Sequence, residues 1–102
     1  MGLDISLQDE DGEILESVGD PNNILHELLP SFTDYSYQCL RFIDWYGNTI
    51  FNRFQIDVFL AEWKRLYSKA HTENEREILF RIEELAKMCQ SEPHFYLKFE
   101  GD

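Results

Sequence analysis

Leu3, Ile5 and Leu7 alternate with Asp4 and Ser6, the period-two pattern of a half-buried strand. Asp9-Glu10-Asp11-Gly12 supplies turn chemistry, with Gly12 free to take a positive φ. Ile14 and Val18 then return on one face, so the spacing predicts an N-terminal hairpin with an acidic tip. Gly19-Asp20-Pro21 interrupts the strand. Asp20 is placed to cap a short helix with Pro21 at its first position, Ile24, Leu25, Leu28 and Leu29 as its apolar stripe, and Pro30 as its stop. Residues 31–38 mix polar groups with Phe32, Tyr35 and Tyr37 and read as a loop leading into a strand.

The stretch Leu40–Trp63 holds both tryptophans and is the expected organising segment. Apolar groups on both faces of residues 40–45 predict a central strand. Tyr46-Gly47-Asn48-Thr49 makes the turn, Thr49-Ile50-Phe51 the return strand, and Asn52 an N-cap. Ile56, Phe59, Leu60, Trp63, Leu66, Tyr67 and Ala70 then form a stripe of helical period, with Asp57, Glu62, Lys64, Arg65 and Lys69 largely off it. Thr72 with Glu75 is a capping box. It opens a second helix whose inner face is Ile78, Leu79, Ile82, Leu85, Ala86 and Cys89. Arg76, Arg81 and Lys87 stand beside Glu73, Glu77, Glu83 and Glu84 as a solvated outer face. Pro93 ends that helix, and residues 94–99 read as a last strand. The expected fold is a single α+β domain over residues 1–102. It has a small antiparallel or mixed sheet of four to five strands packed against two long antiparallel helices, plus one short helix.

Charge narrows the set of partners. The 102 residues carry 9 basic and 20 acidic side chains, a formal net charge of −11. Its distribution says more than its total. The first forty residues hold Asp4, Asp9, Glu10, Asp11, Glu13, Glu16, Asp20, Glu27 and Asp34, and no Lys or Arg precedes Arg41. A field of one sign speeds encounter with basic partners and repels nucleic acid and anionic membranes. Neither direct nucleic-acid binding nor a membrane partner is therefore expected. No apolar run approaches the ~20 residues of a membrane span, and the first residues lack the basic and apolar regions of a signal peptide. A cytoplasmic location is expected, with Cys39 and Cys89 as reduced core thiols.

The chemistry-bearing residues form no catalytic unit. His26, His71, His94, Cys39 and Cys89 stand at no metal-ligand spacing. If Gly12 took the sixth place of a calcium loop, Leu7 and Val18 would fall at its first and twelfth, so the ligand pattern fails. There is no nucleophile elbow and no phosphate-cradling glycine loop. The expectation is a binding protein rather than an enzyme, without metal or cofactor. Its candidate contact residues are the acids Asp9, Glu10, Asp11, Glu13, Glu16 and Asp20 and the turn aromatics Trp45 and Tyr46. Tyr35 and Tyr37 join the aromatic group, for which core filling is the competing role.

The run IDWYGNTIFNRFQIDVFLAEW, with MGLDISL before it and YLKFEGD after it, resembles a group of small acidic bacterial proteins. That group shares a YG-(D/N)-T-x-FN-x-x-Q core, and Trp45 stands where many of its members carry proline. Gln55 is the one residue of the core that local backbone needs leave unexplained. In size, acidity and lack of catalytic groups the chain is also similar to immunity proteins of bacterial toxin systems, including contact-dependent growth inhibition. That similarity implies a basic protein partner, a toxin C-terminal domain with nuclease activity. The alternative is a stand-alone acidic adaptor or regulatory domain with no toxin partner.

Overall fold

The N-terminal hairpin forms where the alternation predicts it, but an irregularity in its pairing puts exposed Ile14 and buried Val18 on opposite faces rather than on one. In the computed structural model, which describes residues 2–101, strand β1 is Asp4–Gln8 and strand β2 is Ile14–Gly19. They pair antiparallel through Ile5–Val18 and Leu7–Glu16, with an irregularity at Leu7/Gln8 that sets Gln8 against Ile14. Gly12 takes φ 82°, the left-handed conformation that glycine adopts without the cost of a Cβ. Asp9 Oδ1 accepts the N–H groups of Asp11 and Glu13, both at 2.9 Å, which locks the turn.

Strand β3 is Asn48–Phe51, helix α1 is Arg53–Arg65, helix α2 is Glu73–Ser91 and strand β4 is Tyr96–Glu100. Three short 3-10 segments complete the chain, at Ile24–Glu27, Leu40–Phe42 and Leu66–Lys69. The sheet has four strands in the order β2-β1-β4-β3, antiparallel throughout. Helix α2 packs over β1, β2 and β4, and α1 lies beside it over β3. Asp57 near the start of α1 meets Gln90 near the end of α2, while Tyr67 beyond α1 meets Glu83, so the helices run antiparallel.

Both helix starts follow from their caps. Asn52 Oδ1 accepts from Phe54 N–H and Gln55 N–H, and Gln55 Oε1 accepts from Asn52 N–H at 2.9 Å. Two of the helix's orphan donors and the cap's own N–H are thereby satisfied. The placement of Gln55, unexplained in the sequence, is thus a local backbone need after all. Thr72 and Glu75 form the same box at α2. The N–H of His71 holds the exposed Glu75 carboxyl below the usual glutamate range, with Thr72 adding to the effect.

The core is made where the helical stripes meet the inner sheet face. Leu3, Ile5, Leu7, Leu97 and Phe99 rise from the sheet to meet Ile56, Phe59 and Trp63 from α1 and Leu79, Ile82, Ala86 and Cys89 from α2. Phe59 stacks on Trp63 with centroids 5.1 Å apart and planes 13° from parallel, and Phe51 and Phe99 close the cluster. The indole Nε1 of Trp63 donates to Leu79 O at 2.9 Å, tying α1 to α2.

Four further expectations are corrected. Residues 40–45 are not a strand. Leu40–Phe42 is a 3-10 turn, and Phe42 points to solvent at 51% exposure. The apolar groups on its two faces serve different surroundings, Leu40 and Ile43 the core and Phe42 an outer patch, so the run imitates a buried strand. The short helix is only the 3-10 turn Ile24–Glu27. Its preceding residue Asn23 sits in the left-handed region at φ 55°, while Asp20 caps from four and five residues back, accepting from Ile24 N–H and Leu25 N–H at 2.8 Å each. Glu62, placed off the helical stripe, is buried. So is Glu83, which accepts the Tyr67 hydroxyl.

Cys39 and Cys89 are separate buried thiols. Their Sγ atoms lie 3.7 Å from Gln55 O and 3.5 Å from Phe95 O respectively. Burial pushes the Cys89 thiol up to about 11, and it raises Cys39 too, with the charge of Glu62 adding to the effect. The fold thus favours the neutral thiols. Their contribution to stability is full below the ordinary thiol value of 9.0 and is lost as pH rises through the folded values. The urea midpoint is expected to fall between about pH 9 and 11. Iodoacetamide at pH 8 should label neither cysteine until denaturant is added, and mass spectrometry of the alkylated chain checks this. Rapid native labelling would show that the thiols are accessible.

Candidate functional site

The predicted contact residues fall into two groups at opposite ends of the sheet. The hairpin tip, residues 9–13, lies at the end marked by the pairs Gln8–Ile14 and Gln8–Tyr96. Trp45 and Tyr46 precede β3 at the other end, where Asp4, Gly19, Glu100 and Asn48 stand side by side. Roughly 13 Å of strand separates the ends. The structure therefore does not bring the tip acids and the turn aromatics together on one contact point.

Within the first group, Asp9 is half-buried and spends one oxygen on the turn. Glu10 meets His94 Nδ1 at 3.2 Å. Asp11, Glu13 and Glu16 are exposed. Among ion pairs between the described residues, none involves Asp9, Asp11, Glu13 or Glu16; the basic side chains that pair do so on α2, Arg76 with Glu73 and Lys87 with Glu83 and Glu84. Apart from Glu10 beside His94, the negative charge of the tip thus meets no ion-pair partner among the described residues.

Asp20 leaves this group. It is 1% exposed, and its two oxygens are occupied by Ile24 N–H and Leu25 N–H. Its own N–H donates to Leu3 O at 3.0 Å. The sequence placed it correctly as a capping side chain and wrongly as a surface acid, because a carboxylate serving backbone donors is buried with them.

The second group changes more. Trp45 is half-buried, edge-on to the His26 ring at 5.7 Å, and packs on the core. The turn that follows it is held by the residue after β4, where Gly101 N–H donates to Gly47 O at 2.8 Å. A Cβ at Gly101 would stand 2.2 Å from Trp45 O, so only glycine permits this approach. Tyr46 is 85% exposed, as a contact residue should be. Tyr37 is buried, with Arg65 over its ring at 4.0 Å.

Three contact candidates were missed in the sequence: Phe32, Arg41 and Phe42. The Arg41 guanidinium lies 4.4 Å from the ring centroids of Phe32, Tyr35 and Phe42 alike, and its Nε donates to Phe32 O at 2.8 Å. Phe32, Phe42 and Tyr46 line a groove of about 340 Å³ together with Arg41, Ile43, Asp44 and Trp45. Aromatic and arginine side chains held rigid in this way are the common anchors of protein interfaces. The signal was the reading of residues 40–45 as a central strand, which put Phe42 in the core.

The loop carrying this patch is fastened by Glu62. Its carboxylate accepts the consecutive N–H groups of Gln38, Cys39 and Leu40. Among the described residues, no group of three or more His, Cys, Asp and Glu is arranged to hold a metal ion, and no helix is long and apolar enough to cross a membrane. Comparison of the chain with protein-family models, with curated proteins and with solved structures gives no match.

Proposed function

We propose that this chain is a cytoplasmic immunity protein, which neutralises a bacterial toxin domain with nuclease activity by covering its basic active site with the acidic side of the β1–β2 hairpin. The observation that supports this reading is the run of exposed acids Asp11, Glu13 and Glu16, none in an ion pair among the described residues, on a chain that places no Lys or Arg before Arg41. A nuclease site is built to hold phosphates, so its positive surface matches such a face. Complementary fields accelerate association by ~10- to 1,000-fold and make it salt-dependent. Asp20 and Trp45, both engaged in the fold, are dropped from the contact set, and Tyr46 belongs to a different surface.

The test is co-expression with the toxin domain encoded beside this chain, followed by association kinetics. Asp11→Asn, Glu13→Gln and Glu16→Gln together are expected to slow association about tenfold or more and to flatten its salt dependence, with circular dichroism unchanged. An unchanged association rate in the triple variant would remove the hairpin from the interface. A second reading, an adaptor domain with no toxin partner, is favoured by the aromatic patch around Arg41 at the far end of the sheet. It predicts that Phe42→Ala with Tyr46→Ala abolishes partner capture while the hairpin variant leaves it intact.

A further inference from the structure

The free edge of the sheet beside those acids has unused backbone groups. β2 is a terminal strand and pairs only with β1. Asp20 N–H donates to Leu3 O in the register that continues Asp4–Gly19, so Leu3–Asp20 is a directly bonded pair. Bonded and non-bonded pairs alternate along an antiparallel ladder. Val18 and Glu16 therefore direct their backbone groups at β1, while Ser17 and Gly19 direct theirs outward. No backbone bond from elsewhere among the described residues reaches either one.

Edges of this kind are usually blunted by lysine, proline, a bulge or a covering segment. β2 contains neither lysine nor proline; its one charge, Glu16, and its one irregularity lie toward the tip, leaving Ser17–Gly19 in unbroken register. At the opposite edge the same alternation turns the backbone groups of Asn48 and Ile50 outward, while Thr49 Oγ1 accepts from Asp44 N–H at 2.9 Å. What distinguishes the β2 edge is the charge beside it.

The charges choose the occupant. Asp11, Glu13 and Glu16 flank the open stretch, and each copy of the chain carries −11. A second copy meets like charge, whereas an extended segment bearing Lys or Arg meets opposite charge. Exposed Ile14 and Leu15 add apolar contact at the same edge. We propose that β2 accepts a lysine- or arginine-bearing strand of a protein partner as a fifth strand of the sheet, through the backbone groups of Ser17 and Gly19. This is strand addition, in which main-chain hydrogen bonds give affinity and flanking side chains give selectivity. It rests on the reading of the acidic hairpin as the partner-binding surface and specifies how that surface engages.

The test titrates the full chain with a short extended peptide that alternates Lys with Thr and Val, with its Glu-for-Lys counterpart, and with the Lys peptide N-methylated at alternate amides. Amide exchange is followed by NMR. The Lys peptide is expected to slow exchange at Ser17 and Gly19, and the Glu peptide to leave it unchanged. N-methylation of the peptide, or Ser17→Pro in the protein, should weaken binding about tenfold. Because the methylated peptide needs no variant protein, the result stands even if the proline disturbs the hairpin. Absence of binding, equal binding of the methylated peptide, protection at other strands, or self-association of the chain through this edge would overturn the inference. Toxin neutralisation that fails while edge protection by the peptide persists would count against the immunity reading alone.

Discussion

Replacing Glu62 with leucine is expected to lower the unfolding free energy by about 3–5 kcal/mol, although the side chain lies on the helix rather than in the apolar cluster. The carboxylate is 6% exposed and receives three successive backbone N–H groups from a segment more than twenty residues earlier. Leucine fills similar space and leaves those donors without an acceptor. A buried orphaned donor costs roughly 1–3 kcal/mol, and partial access of water at exposed Gln38 reduces the total below the simple sum. Glu62→Gln keeps one acceptor oxygen and is expected to lose roughly half as much. Urea unfolding of both variants checks the order. A leucine variant within about 1 kcal/mol of the parent would show that the loop does not need the clamp.

Trp63→Ala is the second large effect, expected at about 3–5 kcal/mol. Trp63 is fully buried, stacks on Phe59, packs on Phe99 and donates to Leu79 O, so alanine leaves both a cavity and an unpaired carbonyl valence between the two helices. Against a total stability of roughly 5–15 kcal/mol for a domain of this size, the variant should lose a large share of its margin against unfolding. Trp63→Phe keeps the stacking and loses only the hydrogen bond and some volume, for about 1–2 kcal/mol. Near-ultraviolet circular dichroism and urea midpoints measure both. Equal midpoints for the alanine and phenylalanine variants would mean that stacking contributes little.

The elements that were legible in the sequence are those whose cause is local. The Leu3-Ile5-Leu7 alternation, the turn at Gly12, the Asn52 cap, the Thr72–Glu75 capping box and both helical stripes are decided within a few residues, and each stands where the pattern put it. What was not legible depends on distant partners. Glu62 reads as a surface acid until the chain folds back residues 38–40 onto it. Asp20 reads the same way until Leu3 and Gly2 are packed against it. Phe42 reads as core because hydrophobicity alone does not separate a ring filling the interior from one stacked on an arginine at the surface. The exposed tip acids were found correctly because a tight charged turn has nowhere to go but solvent.

The position of β4 in the sheet has a consequence for how the chain is made. The hairpin β1–β2 and the strand β3 share no ladder; each is joined only to β4, which runs between them and is the last of these segments to leave the ribosome. Until residues 96–100 emerge, the nascent chain holds two unconnected pieces of sheet and two amphipathic helices with nothing to seat them. Closure of the fold is therefore deferred until residues 96–100 are made, and the waiting chain exposes its aliphatic faces throughout that interval. The acids of the hairpin are synthesised before both helices, so mutual repulsion between neighbouring nascent chains is already in place before any of those faces can be buried.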